Sequence, residues 1–400
     1  MRKVFFPYFV SFIMAALFMG CHSETESASA NPKSPYPDEP VKRPIAISYE
    51  DTTSPQYREL IRQLDEFYNR QVRAGFNGSV LIGHKGKVLY ERYFGWANRE
   101  NGQKWMPTSA SQLASVSKTF TGGAILYLHE HKYLDINERV NTYIPTFPYP
   151  ELTVKMLLNH RSGLPDYLKW VPVYRKDQKT PINNTTLMHL FATYRPKLEF
   201  KPNTHFKYSN SNYAVLASVI EAVTEMRYHD FMKKYVFEPI GMKNTFMYDA
   251  AVGLPVGSAV SYKYNWVREP DMFADGVAGD KGIYSTPQDM YRWDQSFYKN
   301  ILLSNETIEL AYGPCSFEKP GIKNYGLGWR MLCYPDGDKV IYHNGWWHGN
   351  NTVFYRYIKD NYTVIVLGNK YNSSIYRQEK AISAITNLAS SNSVEMEGAD

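Results

Sequence analysis

The chain has 400 residues, a net charge of +6, 21% charged and 44% hydrophobic residues, the proportions of an ordinary globular protein. At this length folding buries roughly 75% of the surface of the unfolded chain, so stability requires neither metal nor disulfide. Bases and acids are interspersed without long runs of one sign, which excludes a nucleic-acid-binding stripe.

At the N-terminus Arg2 and Lys3 precede an apolar run from Val4 to Met19, broken only by Pro7 and Ser11. A short basic region, an apolar core and a small Gly20 describe a secretory signal peptide over residues 1–20. Gly20-Cys21 after Leu17-Phe18-Met19 resembles the lipobox of bacterial lipoproteins. That resemblance implies a lipid on Cys21 and a place on a membrane of the bacterial cell envelope, periplasmic or surface-facing. A plain cleaved leader and a short uncleaved anchor are the other readings.

Residues 22–55 are rich in Ser, Pro, Glu and Lys, a composition that reads as a disordered tether. Over residues 56–71, Leu60, Ile61, Leu64, Phe67 and Tyr68 recur at helical spacing. Residues 78–95 read as a hairpin turning at His84-Lys85-Gly86-Lys87. Helical pattern returns over 115–131, and residues 135–280 alternate helical stretches with Pro-, Asn- and Gly-rich loops. Four strand-like runs follow, at 328–332, 339–342, 352–355 and 362–367, joined by turns short enough for antiparallel neighbours. A closing helix is expected at 381–388 and a flexible tail at 391–400. Strands at both ends around a helical middle predict an α/β (α+β) fold over residues 56–390. A central antiparallel β-sheet, built from both chain ends, is flanked by helices, with a mostly helical subdomain inserted at about 135–280. Cys315 and Cys333 fit either a disulfide or two buried thiols.

Three short motifs carry candidate chemistry. In Ser115-Val116-Ser117-Lys118, residues three apart share a helix face, so Lys118 sits against Ser115, while Ser117 points about 100° away. A serine hydroxyl needs a base, and a lysine serves only where burial or nearby positive charge favours its neutral form. In Tyr208-Ser209-Asn210, the phenol offers a proton relay and the amide both a donor and an acceptor. In His343-Asn344-Gly345, the glycine allows close backbone approach. The Trp346 amide pairs with that of Ser115 as a candidate oxyanion hole, and Trp346 and Trp347 are expected to wall the pocket. His129-Glu130-His131 is too tightly spaced for a zinc helix, and no metal or cofactor is expected.

Taken in order, these motifs resemble the serine β-lactamase and penicillin-binding-protein-like superfamily: class C β-lactamases, D-alanyl-D-alanine carboxypeptidases and serine esterases with a Tyr-x-Asn second motif. Leu157-Leu158-Asn159-His160-Arg161-Ser162-Gly163-Leu164-Pro165, Pro239-Ile240-Gly241-Met242 and Gly282-Ile283-Tyr284-Ser285-Thr286 are similar to family segments as well. The resemblance implies Ser115 as acylated nucleophile, Lys118 as proton acceptor, Tyr208 as second acid/base and Asn210 as a substrate-orienting amide. It places His343, Asn344, Gly345 and Trp346 at the substrate.

Two departures bear on substrate. His343 and Asn344 stand where these enzymes usually have a lysine and a hydroxyl residue, which removes a fixed charge for a substrate carboxylate. Asp280-Lys281 replaces a small, Gly-rich pair; Lys281 is expected on the surface, with a charge supplied near the site as the alternative. The reading is therefore a hydrolase of amides or esters, acting on D-amino-acid peptides of the peptidoglycan type or small carboxylic esters. A β-lactamase proper and a non-catalytic penicillin-binding module are the alternatives. The substrate is a small molecule or peptide, and nothing bears on oligomeric state.

Overall fold

The computed structural model describes residues 38–377 together with Ile382 and Thr386. The leader, Cys21, the tail and most of the closing helix lie outside the described residues. Helix α1 (Pro55–Arg73) starts where the Ser54 side chain accepts from the Tyr57 amide, with proline in the first turn, where its missing N–H costs little. Strands β1 (Gly78–His84) and β2 (Lys87–Phe94) form the expected hairpin. It turns through Lys85 and Gly86 at φ 47° and 82°, the positive pair that a two-residue turn of this hand requires.

Five strands from the other end of the chain complete the sheet. They are β3 (Lys323–Tyr325), β4 (Arg330–Cys333), β5 (Lys339–Trp347), β6 (Asn350–Tyr357) and β7 (Tyr362–Gly368). The order is β2-β1-β7-β6-β5-β4-β3, antiparallel throughout. The seam between chain ends is β1 on β7, with Gly78 opposite Gly368 and His84 opposite Tyr362. Successive β7 residues serve opposite layers: Val364 and Val366 pack with Leu64 and Tyr68 of α1, Ile365 and Leu367 with the other side.

That other side holds α2 (Ser117–Glu130), α3 (Tyr167–Tyr174), α4 (Asn184–Tyr194), α5 (Asn210–Thr224) and α6 (Pro287–Tyr298). The middle of the chain is helical as expected, and its core is continuous with that of the sheet. One apolar cluster runs from Leu157 and Tyr213 through Phe120 and Trp293 to Phe354 and Ile365. Helix α2 buries every residue from Ser117 to Leu128, which makes it the central helix of this layer.

The structure departs from the sequence reading in three places. The helix expected from Ser115 begins at Ser117, behind a 3-10 turn over Ala114–Val116. A small sheet of Ser111–Gln112, Ile283–Ser285 and Phe246–Met247 is too short to show alternation in sequence. Residues 43–50, expected within the tether, are bound to the body. The Arg43 and Ile45 amides donate to the Pro239 and Ile240 carbonyls at 2.7 and 3.0 Å, and Val88 donates to Ser48 at 2.8 Å. Main-chain pairing of this kind does not depend on the aliphatic content that composition measures. Cys315 and Cys333 are free thiols. Among the described residues no helix is long and apolar enough to cross a membrane.

Candidate active site

Ser115 sits in the turn ahead of α2 and is the one residue between Ser109 and Leu128 that is not fully buried. The preceding Ala114 holds φ at 49°, a left-handed conformation that costs a residue with a Cβ about 1–2 kcal/mol. Strain of this kind persists only where the surroundings over-determine it. One turn on, Lys118 is wholly buried. Its Nζ lies 3.1 Å from Ser115 Oγ, 2.8 Å from Asn210 Oδ1 and 2.8 Å from the Asp280 carbonyl oxygen. Among the described residues no carboxylate lies within 4.0 Å of it. Ser117 faces elsewhere, its Oγ accepting the Ile283 amide at 3.2 Å.

Asn210 opens α5, and its amide is oriented from behind. Nδ2 and the backbone amide both donate to Asp166 Oδ2, at 2.9 and 3.3 Å, which turns Oδ1 toward the lysine. Asp166 also accepts the Leu168 amide at 3.0 Å and so caps α3. Burial pushes its carboxyl above the usual carboxylate range. Tyr208 stands beside this cluster, with Lys118 Nζ 5.0 Å from its ring centroid. Its hydroxyl is buried and has no hydrogen-bond partner among the described residues.

The third motif enters from the sheet. Gly345 is where β5 meets the Ser115 turn: a Cβ there would lie 2.4 Å from the Leu113 carbonyl oxygen and 3.1 Å from the Ser115 amide nitrogen. Only glycine fits this contact. His343 lies on the same face, fully buried. Burial, then the nearby charges of Arg330 and Lys118, hold its pKa well below the usual histidine value, so it is neutral. Asn344 faces the opposite layer, where Nδ2 reaches the Tyr355 hydroxyl at a long 3.4 Å and Oδ1 has no partner among the described residues. The Trp346 ring also faces away. It is half-exposed, 5.7 Å from Tyr371, with Nε1 donating to the His348 carbonyl at 2.8 Å. Period-two alternation allows only Trp347 of the two tryptophans on the Gly345 face.

Lys281 corrects another expectation, being 3% exposed and not a surface residue. Its ammonium pairs with Asp280 at 3.2 Å, contacts the Tyr167 hydroxyl, and lies 4.6 Å from the Trp347 ring centroid. Burial lowers its pKa and the Asp280 carboxylate opposes that shift. Sequence reasoning also missed Arg330. This half-buried guanidinium lies 5.0 Å from the Tyr208 ring centroid, and no carboxylate among the described residues comes within 4.0 Å of it. The available signal was a lone charge in the otherwise apolar run 328–332. Asp166 was signalled only by its place before a helix-like segment.

A family model described as Beta-lactamase matches residues 58–385. Penicillin-binding protein 4* of Bacillus subtilis (strain 168) is 33% identical over 319 residues, covering 76% of this chain and 70% of that protein. Among solved structures, a penicillin-binding protein from Bacillus halodurans superposes with a TM-score of 0.71 at 21% identity, over 81% of this chain and 98% of that one. The D-amino acid amidase of Ochrobactrum anthropi SV3, complexed with L-phenylalanine amide, gives 0.67 at 19% identity over 84% and 99%. At those identities the two structures speak for the fold alone. With the family model spanning most of the chain and a serine, a lysine and a glycine strand already assembled at one point, the protein belongs to the beta-lactamase family of serine acyl-transferases and hydrolases, which shares its fold with the penicillin-binding proteins.

Proposed function

We propose that the protein hydrolyses amide or ester bonds through an acyl-Ser115 intermediate. Its substrates are D-amino-acid peptides of the peptidoglycan type or small carboxylic esters. The observation that carries this reading is the set of three oxygens around Lys118 Nζ. Two of them, the Asn210 and Asp280 carbonyl oxygens, only accept. Once it has given up its proton, the amine satisfies both with its two N–H bonds and turns its lone pair on the Ser115 hydroxyl. Ser115 Oγ then attacks the substrate carbonyl carbon as its proton passes to Lys118, and the oxyanion forms beside the Ser115 and Trp346 amides. Tyr208, its hydroxyl otherwise unpartnered, hands a proton to the leaving group, and water later releases the acyl group by the reverse path.

Arg330 supports a substrate carboxylate. With His343 neutral and Lys118 given to the proton transfer, it is the cation beside Tyr208 left without a carboxylate partner among the described residues, and a half-buried guanidinium favours a bidentate carboxylate. Penicillins carry a carboxylate as well, so a β-lactamase activity is the second reading. For Cys21 we propose a lipid anchor in the bacterial cell envelope; Cys21→Ala would shift the protein from the detergent to the aqueous phase on partition.

The test is intact mass after exposure to a fluorophosphonate and to a fluorescent penicillin. Stable labelling of Ser115 by both supports a D-peptidase, and fast turnover of the penicillin supports the β-lactamase reading. Labelling by the fluorophosphonate alone supports an esterase. A folded protein labelled by neither would be a binding module, and the hydrolase reading would fall.

A further inference from the structure

The loop at residues 157–165 carries two polar side chains that take no part in the chemistry above, His160 and Ser162, both buried. Their hydrogen bonds run one way. Ser162 Oγ accepts the Leu164 amide at 3.0 Å, so its proton goes to Asn212 Oδ1 at 2.5 Å. That fixes the Asn212 amide: Nδ2 donates to His160 Nδ1 at 2.9 Å, and the Ser209 amide points at the same nitrogen at 3.3 Å. A nitrogen facing two donors holds no proton, so His160 is protonated at Nε2, which donates to the Tyr325 hydroxyl oxygen at 3.2 Å. At the far end, His343 Nδ1 lies 2.7 Å from the Asn344 carbonyl oxygen, which only accepts. His343 therefore carries its proton on Nδ1 and leaves Nε2 bare. The Tyr325 hydroxyl, 3.4 Å away, has one proton, for which the bare His343 Nε2 and the Tyr213 hydroxyl oxygen are the acceptors. The neighbouring Tyr213 hydroxyl is committed to the Leu158 carbonyl at 2.7 Å.

We propose that Ser162, Asn212, His160, Tyr325 and His343 form a one-way chain of neutral groups that holds β5 against the Tyr208 loop, with His343 as a positioning residue and not a cation for substrate. The proposal deepens the hydrolase reading and depends on it only for the effect on rate. The Tyr208 ring packs 4.4 Å from that of His160 and 6.2 Å from that of His343, so displacing the chain displaces the relay hydroxyl. The charged groups facing both histidines are Lys118 and Arg330; Tyr208, Tyr213 and Tyr325 are the other titratable neighbours. Protonating either histidine adds a positive charge to a site that already holds two, and sets a surplus donor against an occupied partner. Burial first, and those two cations next, hold both pKa values well below the usual histidine value. The sign follows: the stability from the neutral pair is complete above the unfolded value of about 6.5 and is lost as pH falls through the depressed folded values.

The test uses the full chain with 15N-labelled histidine. At pH 7 His160 should show the Nε2–H tautomer and His343 the Nδ1–H tautomer, assigned through His160→Gln and His343→Gln. An Nε2–H or imidazolium signature for His343 overturns the chain. Tyr325→Phe keeps the ring and removes the hydroxyl. It should shift the resonance of the bare His343 Nε2, which loses its donor, and slow Ser115 acylation on the order of ten- to a hundredfold, in kcat more than in KM. An unchanged His343 Nε2 resonance and rate in a folded Tyr325→Phe protein overturn the positioning role. If Ser115 takes no label while both signatures appear as stated, the hydrolase reading is overturned and the chain is supported.

Discussion

Arg356 and Lys118 are both buried cations in the layer between sheet and helices, and they are held in opposite ways. Arg356, 1% exposed, donates Nε to Asp294 Oδ1 at 2.5 Å, a second nitrogen to the Tyr312 hydroxyl and a third to the Asp294 carbonyl at 3.3 Å. Lys118 has two carbonyl oxygens and one hydroxyl, and no carboxylate. A carboxylate partner clamps a charge in place, whereas neutral dipoles solvate the ammonium without forbidding its loss. Asp280 joins both arrangements, giving its carbonyl to Lys118 and its carboxylate to Lys281. The proposed proton exchange falls on the lysine without a carboxylate, and Lys281 and Arg356 keep theirs.

Substitutions can break or sharpen this contrast. Ser115→Ala should abolish fluorophosphonate labelling, and Lys118→Met should slow it by about 10²–10⁴ with the fold kept, as read by mass and circular dichroism. At the clamped cation the effect should reverse. Asp294→Asn should cost about 3–5 kcal/mol in denaturant unfolding, because it leaves a buried guanidinium uncompensated. The fraction that folds should still label at Ser115. Arg330→Met tests the third cation: KM for a substrate ending in a carboxylate should rise about ten- to a hundredfold, the worth of a charged hydrogen bond. A neutral ester should keep its KM, and an equal rise for both substrates would remove Arg330 from carboxylate recognition. Smallest of all, Ser117→Ala should cost about 1–2 kcal/mol by freeing the Ile283 amide, with labelling retained. A dead Ser117→Ala protein would reverse the assignment of the two serines.

The parts of the site that sequence made legible are those fixed by local geometry. Ser115 and Lys118 are three residues apart, and the sheet strands are tied by short turns, so spacing alone carries them. Gly345 was readable because a strand glycine signals close approach. The Trp346 ring, expected to wall the pocket, was misplaced, since alternation with Gly345 puts it on the far face. Arg330, Asp166 and Lys281 were not readable. Arg330 lies beside Tyr208, brought there by a strand register in which it pairs with Tyr342. Lys281 is buried only because its neighbour is a carboxylate and the distant Tyr167 hydroxyl meets both. Residues 43–50 escaped for a related reason, since their bonds to the body run through the main chain, which composition does not report.

The seam that pairs Gly78 with Gly368 has a consequence in time. The strands that flank β1 come from opposite ends of the chain, and closing a loop of that length must precede any reward from the contacts it makes. The glycine that abuts the nucleophile turn belongs to the late half of that sheet. A nascent chain that has reached residue 340 therefore already contains its serine and its lysine, yet has no wall to hold a substrate against them. On the proposed mechanism its chemistry starts only with completion, and a half-made copy would be inert.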